Sequence, residues 1–261
     1  MALNKIVLIG AGNVATHLGK ALQGAGFDIR QVYSRTEASA SALGHLLSTP
    51  YTLSLDEVCT DADLYIVALK DSVLQELLPQ IVIGREKALF VHTAGSMPMQ
   101  VWEGHALRYG VLYPMQTFSK QREVCFEEVP FFVEANVQDD LEALKALAGR
   151  ISPKVHEATS EQRKYLHIAA VFACNFSNHM YALCGHLLEK HGIPFDVMLP
   201  LIDETARKVH ELPPADAQTG PAIRYDVNVI DRHLEMLSDE PEMQDLYEKI
   251  SKSIYKTHDK L

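Results

Sequence analysis

Short, continuous apolar runs alternate with longer amphipathic segments along the first 155 residues. The apolar runs lie at 6–9, 64–69 and 88–91, and their aliphatic composition is typical of strands buried in a parallel sheet. Segments with the periodicity of an amphipathic helix follow them, at 14–23, 37–47 and 72–83. Strands that alternate with helices predict an α/β fold with a mostly parallel sheet and right-handed crossovers.

Further short segments complete the predicted α/β pattern, and the pattern changes after about residue 155. Further strands are predicted at 27–33, 109–112 and 154–156, with an edge strand at 131–134 and a helix at 139–149. No strand is predicted from Ser160 onward. Helical periodicity continues to Lys190, stops at Gly192-Ile193-Pro194, and returns at 196–209, 221–238 and 242–256. These patterns predict an N-terminal α/β domain of the Rossmann type at 1–155 and an all-helical domain at 156–261.

Residues 10–15, Gly-Ala-Gly-Asn-Val-Ala, fit the pattern G-x-G-x-x-G/A between the first strand and the first helix. The first glycine permits a tight turn, the second lets the backbone approach a diphosphate, and the small third residue lets helix and strand pack closely. The helix N-terminus offers free N–H groups to phosphates. We expect a dinucleotide to bind here through Gly10, Ala11, Gly12, Asn13 and Val14. A glycine-rich turn that binds nothing is the alternative.

The end of the second strand distinguishes the two nicotinamide cofactors. An NAD site has an acidic residue at this position, to accept the ribose 2′-hydroxyl. This chain has Ser34-Arg35-Thr36 instead, and Asp28 lies at the opposite end of the strand. Two hydroxyls and a guanidinium suit a 2′-phosphate, so the sequence predicts NADP. Alternatively, Arg35 is a solvated surface residue and the two hydroxyls cap the next helix.

Two other strand ends carry polar residues where ligands of such sheets bind, at 68–72 and 92–96. Cofactor contacts are expected from Ala68, Leu69, His92 and Thr93, and a substrate contact from Gly95. The alternatives are helix caps for Asp71 and Ser72, a surface position for Lys70, and a core histidine for His92.

The loop at 113–119 follows a predicted strand and mixes polar with aromatic side chains. Loops at strand ends often carry function, so Gln116 is expected to contact the substrate. A structural turn around Pro114 is the alternative.

The helix predicted from Ser160 carries a stripe of polar side chains. Positions eleven apart on a helix lie within about 20° of one another, which aligns Lys164 with Asn175 and His167 with Asn178. A histidine acts as a general acid or base near neutral pH, and asparagine can hold a carbonyl or carboxylate. His167, Asn175 and Lys164 are therefore catalytic candidates and Asn178 a substrate contact. A helix–helix interface with buried amides is the alternative.

The segment 218–226 is predicted to begin another helix, with Thr219 and Pro221 at its start. Arg224 and Asp226 would lie in its first turns. A helix N-terminus with an arginine suits a carboxylate, so Thr219, Arg224 and Asp226 are candidate substrate contacts. A plain helix start explains Thr219 and Pro221 equally well.

Composition and charge restrict the class of partner. The chain is 47% hydrophobic and carries a formal charge of −10, which disfavours nucleic acid and anionic membranes as partners. Its four cysteines form no C-x-x-C pair, so reduced thiols in a cytoplasmic protein are expected, with no metal site. No apolar segment reaches the roughly 20 residues of a membrane span.

Nearly the whole chain resembles Rossmann-like NADP oxidoreductases that carry a C-terminal helical domain of unknown function. This group includes proteins similar to 6-phosphogluconate dehydrogenase, pyrroline-5-carboxylate reductase and ketopantoate reductase. The resemblance rests on residues 10–15 and 92–96, on 114–118, on Tyr165-Leu166-His167 with Asn175, and on 219–221 with Arg224 and Asp226. The sequence departs from the expected pattern at Ala94, Tyr113 and Tyr225, where serine, histidine and glycine are expected.

The resemblance implies an NADP domain, a helical domain that forms a homodimer, and hydride transfer between the nicotinamide and a small carbonyl or hydroxy acid. It makes His167 the proton donor, Asn175 a substrate-orienting residue and Arg224 a carboxylate partner. A ketopantoate-reductase-like activity is the first interpretation. The alternatives are an imine reductase resembling pyrroline-5-carboxylate reductase and a non-catalytic NADP-binding sensor.

Overall fold

A single mixed sheet organises the first part of the chain, in a computed structural model that describes residues 3–258. The strands are β1 (Lys5–Ile9), β2 (Asp28–Tyr33), β3 (Tyr51–Thr52), β4 (Leu64–Val67), β5 (Leu89–His92), β6 (Arg108–Pro114), β7 (Phe131–Ala135) and β8 (Val155–Glu157). Their order is β3-β2-β1-β4-β5-β6-β7-β8. The first six follow the strand order of dinucleotide-binding sheets, which confirms the predicted fold class.

Helices cover both faces of the sheet and are the main regular structure of the described chain after β8. They are α1 (Asn13–Gly24), α2 (Glu37–Leu46), α3 (Asp71–Val82), α4 (Gln138–Gly149), α5 (Ser160–Ala170), α6 (Ser177–Lys190), α7 (Leu199–Glu211), α8 (Pro214–Ala217), α9 (Val227–Met236) and α10 (Pro241–His258). A π-helix at Val171–Phe176 joins α5 to α6. No helix among these residues is long and apolar enough to cross a membrane.

The alternation of side chains along β1 explains why helices lie on both faces. Ile6 and Leu8 belong to a buried cluster that includes residues of α1 and α4. Val7 and Ile9 point to the opposite face and belong to a second cluster, which includes residues of α3. A strand that is apolar on both faces is stable only when both are covered.

The far side of the sheet departs from the parallel pattern. β7 pairs antiparallel with β6 and parallel with β8. The prediction of 131–134 as an edge strand is therefore wrong, because β8 lies outside it. The short β8 supplies the outer neighbour of β7.

The chain divides into two compact units, residues 1–175 and 176–261. The first contains the whole sheet, α1 to α5 and most of the π-helix. The second contains α6 to α10 and no strand among its described residues. Strands therefore end near the predicted boundary at 155, whereas the division between compact units falls inside the π-helix.

The predicted helix start at 219–221 is wrong. Residues 221–225 form turns, and Tyr225 has a φ of 47°. α9 begins after Asp226, whose carboxylate accepts a hydrogen bond from the Val229 N–H at 3.4 Å. The N-cap is thus Asp226, because a left-handed residue directly before it breaks the helical backbone that Pro221 would start.

A buried ion pair fastens α5 to the sheet. Arg163 on α5 has no exposed surface and bonds the carboxylate of Glu134 on β7. Arg163 Nη2 also donates to the carbonyl oxygen of Met97 at 2.6 Å. Ser160 donates to Glu134 and accepts from the Met99 N–H, both at 2.8 Å. One cluster therefore connects β7, the beginning of α5 and the segment after β5.

The burial of this cluster predicts an unequal response of two neighbouring glutamates. Glu134→Ala leaves the Arg163 guanidinium buried without its carboxylate, and we expect a loss of about 3–5 kcal/mol in the free energy of unfolding by urea. Glu157→Ala on β8 removes an exposed partner of Lys145, 2.7 Å away, and should leave the stability nearly unchanged, because exposed ion pairs are screened by solvent and Lys145 keeps Glu142. Equal losses for the two variants would contradict a special role for the buried pair.

Candidate active site at the carboxyl edge of the sheet

The carboxyl ends of four neighbouring parallel strands, β2, β1, β4 and β5, lie side by side along one end of the sheet. Ile9 is in register with Tyr33 on one side and Val67 on the other, and Val67 in turn with His92. Hydrogen bonds continue one residue further, from Gly10 N to Tyr33 O and from Ala68 N to Ile9 O, both at 2.8 Å. The predicted cofactor residues at 10, 34, 68 and 93 therefore follow directly on neighbouring strands, because parallel register aligns their ends.

The two glycines of the turn after β1 have different roles. Gly10 has a φ of 116°, and a Cβ there would lie 2.4 Å from the carbonyl oxygen of Ala68. Gly12, the N-cap of α1, has no atom within 4 Å of the place where a Cβ would be. Gly10 thus serves the close approach of β1 and β4. The open space above Gly12 fits a phosphate group that approaches the first N–H groups of α1, at Asn13 and Val14.

The segment after β2 has the chemistry of an anion site. Arg35 and Thr36 are exposed, and Ser34 is half-buried. Thr36 is the N-cap of α2, yet its hydroxyl makes no capping hydrogen bond. The alternative that these hydroxyls serve as caps therefore finds no support in this conformation. Asp28 lies at the other end of β2, beside Arg30 at 3.4 Å.

His92 lies in the core, and its assignment as a cofactor contact stays a prediction. Its side chain has no exposed surface and stacks on the Trp102 ring, with centroids 6.5 Å apart. Nδ1 accepts a hydrogen bond from the Ala94 N–H at 3.2 Å. Burial, together with the charge of Arg163, lowers the pKa of His92 to about 3, so the imidazole is neutral. The enclosed side chain therefore shapes the turn after β5 through this hydrogen bond.

A cavity of about 400 Å³ in the first unit collects several of the predicted residues. Gln116, His167 and Asn175 line it, as do Tyr113 and Cys174. The remaining lining is largely aliphatic, and none of the lining residues is a lysine or an arginine. The arrangement suits a small ligand held by a few neutral polar groups.

Gly95 explains how two aromatic side chains meet at this cavity. A Cβ at Gly95 would lie 3.0 Å from the Tyr113 hydroxyl and 3.1 Å from Nδ1 of His167. Both groups therefore occupy the space that a side chain at this position would fill. Gly95 serves to admit these two polar groups.

Tyr113 is the functional candidate that the sequence pattern did not identify. The sequence showed it only as a departure from an expected histidine. Burial raises the pKa of the Tyr113 phenol, whereas the charge of Arg163 acts in the opposite direction. The phenol therefore keeps its proton at neutral pH and can donate it in a hydrogen bond.

The π-helix changes the register on which the catalytic candidates were aligned. A π-turn advances the chain by fewer degrees per residue than an α-turn, because its hydrogen bonds span five residues. The predicted pairing of Lys164 with Asn175 across eleven residues therefore fails, and Asn175 instead lines the cavity with His167. Lys164 is exposed, and its ammonium lies 3.2 Å from Glu161. Lys164 is not among the residues that line this cavity, and its catalytic assignment stays a prediction.

The remaining candidates lie in the second unit and stay predictions. Asn178 is exposed on α6, and Arg224 is exposed in the turns before α9. Asp226 caps α9 as described above. Thr219 lines a separate, largely apolar cavity of about 540 Å³ within this unit, bounded by residues of α6, α9 and α10.

Comparison with known proteins gives the chain a family. Residues 5–94 match the family described as NADP oxidoreductase coenzyme F420-dependent, and residues 129–254 match a domain of unknown function, DUF2520. A protein of Bacteroides fragilis proposed to be an NADP oxidoreductase is 64% identical, with a TM-score of 0.94. The match covers 97% of this chain and 98% of that one. The chain belongs to this family of NADP oxidoreductases.

More distant solved structures share the fold. An imine reductase from Myxococcus stipitatus in complex with NADP⁺ is 16% identical, with a TM-score of 0.68 over 98% of this chain and 93% of that one. A pyrroline carboxylate reductase from Plasmodium falciparum with NADP bound is 14% identical, with a TM-score of 0.62 over 99% of both chains. No curated protein matches the sequence.

The geometry of the turn after β1 predicts opposite outcomes for its two glycines. Gly10→Ala forces a Cβ against the Ala68 carbonyl at a positive φ, and we expect a loss of about 2 kcal/mol or more in stability. Gly12→Ala places a methyl group in open space and should stay within about 0.5 kcal/mol of the unmodified protein. Urea unfolding of both variants checks this. A destabilised Gly12 variant would show that the space above the turn is filled.

Proposed function

We propose that this member of the NADP oxidoreductase family reduces a small carbonyl or imine compound that binds in the cavity beside Gly95. The observation that carries the proposal is that the Tyr113 hydroxyl and Nδ1 of His167 lie 3.0 and 3.1 Å from the same point beside Gly95, where a Cβ would be, in a sheet with the strand order of dinucleotide-binding proteins. The reduced cofactor, NADPH, would supply the hydride and leave as NADP⁺. The side chains of the protein must hold the substrate and protonate it.

Different residues at the carboxyl ends of the strands would bind different parts of NADP. The N–H groups at the start of α1 would hold the diphosphate above Gly12, where the structure leaves open space. Ser34, Arg35 and Thr36 would hold the 2′-phosphate through two hydroxyls and a guanidinium. Ala68, Leu69 and Thr93 continue the edge toward the cavity.

The residues that line the cavity would supply a proton to the substrate and stabilise the charge that develops on it. Hydride addition to a carbonyl or imine carbon places negative charge on the oxygen or nitrogen, which then takes up a proton. His167 is the proposed donor of that proton. The Tyr113 phenol keeps its own proton and donates a hydrogen bond to the same atom, which stabilises the developing charge. Asn175 and Gln116 line the same cavity and would orient the rest of the substrate.

A second copy of the chain is the proposed partner of the helical unit. Phe195, Val197, Leu199 and Leu201 are all exposed within a stretch that ends in the first turn of α7. Contiguous exposed apolar patches on proteins mark interaction sites. The homodimer implied by the family resemblance would bury this stretch.

The cofactor preference should depend on one guanidinium. The unmodified protein should bind NADPH more tightly than NADH, as measured by nicotinamide fluorescence. Arg35→Ala should weaken NADPH by about tenfold to a hundredfold, the size of one or two charged hydrogen bonds, and leave NADH unchanged. Arg30→Ala is the matched control, since Arg30 lies at the other end of β2 beside Asp61 at 3.2 Å. A preference for NADH would overturn the assignment of the 2′-phosphate site.

Turnover should separate the catalytic candidates. A panel of 2-oxo acids including ketopantoate, together with cyclic imines including pyrroline-5-carboxylate, is assayed with NADPH. His167→Ala should lower kcat by about 10²- to 10⁴-fold with NADPH affinity intact. Tyr113→Phe should lower kcat less, and Lys164→Ala should leave it unchanged because that ammonium pairs with Glu161. NADPH binding without turnover of any compound would favour the non-catalytic sensor.

The oligomeric state should respond to the exposed stretch. Sedimentation of the unmodified protein at micromolar concentration should give a dimer, and Leu201→Glu should shift it toward monomer because a buried charge without a partner is costly. Lys249→Glu on α10, where the side chain is exposed, is the control. A monomer for the unmodified protein would contradict the proposed dimer.

A further inference from the structure

A short segment of the loop after β6 crosses the beginning of α1. The Asn13 side chain donates a hydrogen bond to the carbonyl oxygen of Phe118 at 2.8 Å. Nε2 of the buried His17 donates to the carbonyl oxygen of Ser119 at 2.9 Å, and its ring stacks on Phe118. Lys120 Nζ donates to the carbonyl oxygen of Ala11 at 3.0 Å. These three hydrogen bonds hold residues 118–120, the strap segment, against the first turns of α1 and against residues 10–12 in the turn after β1, the phosphate turn.

The Lys120 side chain is exposed, and its ammonium lies directly beside the beginning of α1. Ala11 directly precedes the N-cap of α1, and the positive end of a helix dipole repels cations. The first turn of α1 contains no acidic residue. No carboxylate within residues 3–258 forms an ion pair with Lys120, and Ala11 takes only one of its three N–H donors. The dipole and the ammonium together form a site for an anion.

Fastening of the loop does not by itself account for this lysine. The Asn13 and His17 side chains already hold the strap segment through two backbone carbonyls. A neutral donor at position 120 could reach the Ala11 carbonyl without placing a second positive charge beside the helix N-terminus.

We propose that Lys120 is a cofactor-binding residue whose ammonium pairs with the diphosphate of the dinucleotide. The inference rests on the proposed function, because it requires the dinucleotide to lie on the turn at Gly12. It adds a contact from a loop more than 100 residues away from the glycine motif, as the Lys120 to Ala11 hydrogen bond shows. Lys120 would then bind the diphosphate of NADP, and Arg35 would bind its 2′-phosphate.

Loss of either cation should therefore change the affinities for NADPH and NADH in a different way. The diphosphate is common to NADPH and NADH, whereas only NADPH carries the 2′-phosphate. Loss of the Lys120 charge should therefore weaken both dinucleotides by the same factor and leave their ratio unchanged. Loss of Arg35 should change the ratio.

The test is a calorimetric titration of four proteins with NADPH and with NADH. Lys120→Gln should weaken both by about tenfold, the size of one charged hydrogen bond, while Lys120→Arg should stay within about threefold of the unmodified protein. Lys20→Gln, whose lysine pairs with Glu123 at 3.7 Å, is the control and should bind normally. The affinity of the Lys120→Gln protein should also depend less on salt, because one fewer cation meets the ligand. Thermal unfolding of each protein without ligand checks the fold.

Each other outcome overturns a distinct claim. Unchanged affinities in Lys120→Gln would remove Lys120 from the site while leaving the proposed function intact. A loss for NADPH alone would place the lysine at the 2′-phosphate. Equal losses in Lys120→Gln and Lys120→Arg would show that shape, and not charge, matters at this position. Failure of the unmodified protein to bind either dinucleotide would overturn the proposed function, and this inference with it.

Discussion

The buried pair of Arg163 and Glu134 is the constraint on which the candidate site depends. A guanidinium with no exposed surface is stable only with a carboxylate and further acceptors around it. Glu134 and the Met97 carbonyl supply these from β7 and from the segment after β5. The same cluster therefore fixes α5 against the end of the sheet, and α5 carries His167. Loss of the pair would affect the site through position as well as stability.

Two kinds of backbone build the site. The cofactor half lies on parallel strands in register, where ladder hydrogen bonds fix every strand end relative to its neighbours. The cavity beside Gly95 depends on irregular backbone: the close packing at Gly95, the turn shaped by His92, and the π-helix that brings Asn175 to the cavity. Distant solved structures share the fold over nearly the whole chain, whereas the chemistry of the cavity rests on individual side chains.

Sequence identity shows the family of the chain, whereas the reaction depends on the side chains of the candidate site. A relative with 64% identity over nearly the whole chain shows the family, whereas neighbours at 14% and 16% identity share the fold alone. The proposed reaction therefore rests on Tyr113 and His167, the two residues whose polar groups lie beside Gly95. A protonated phenol next to an imidazole is suited to receive the charge that hydride addition creates, on either an oxygen or a nitrogen.

The sequence by itself determined the features that are local. Apolar runs, helical periodicity and the glycine turn at 10–15 depend on neighbouring residues, and they gave the parallel sheet, the strand ends and the position of the dinucleotide turn. Tertiary structure decided the rest. Whether 131–134 lies at an edge depends on a strand twenty residues later, and the burial of His92 depends on Trp102. The register of the helix after Ser160 depends on a π-turn, which the repeat of apolar residues does not reveal. The contact of Lys120 with the phosphate turn joins residues distant in sequence, and no local pattern encodes it.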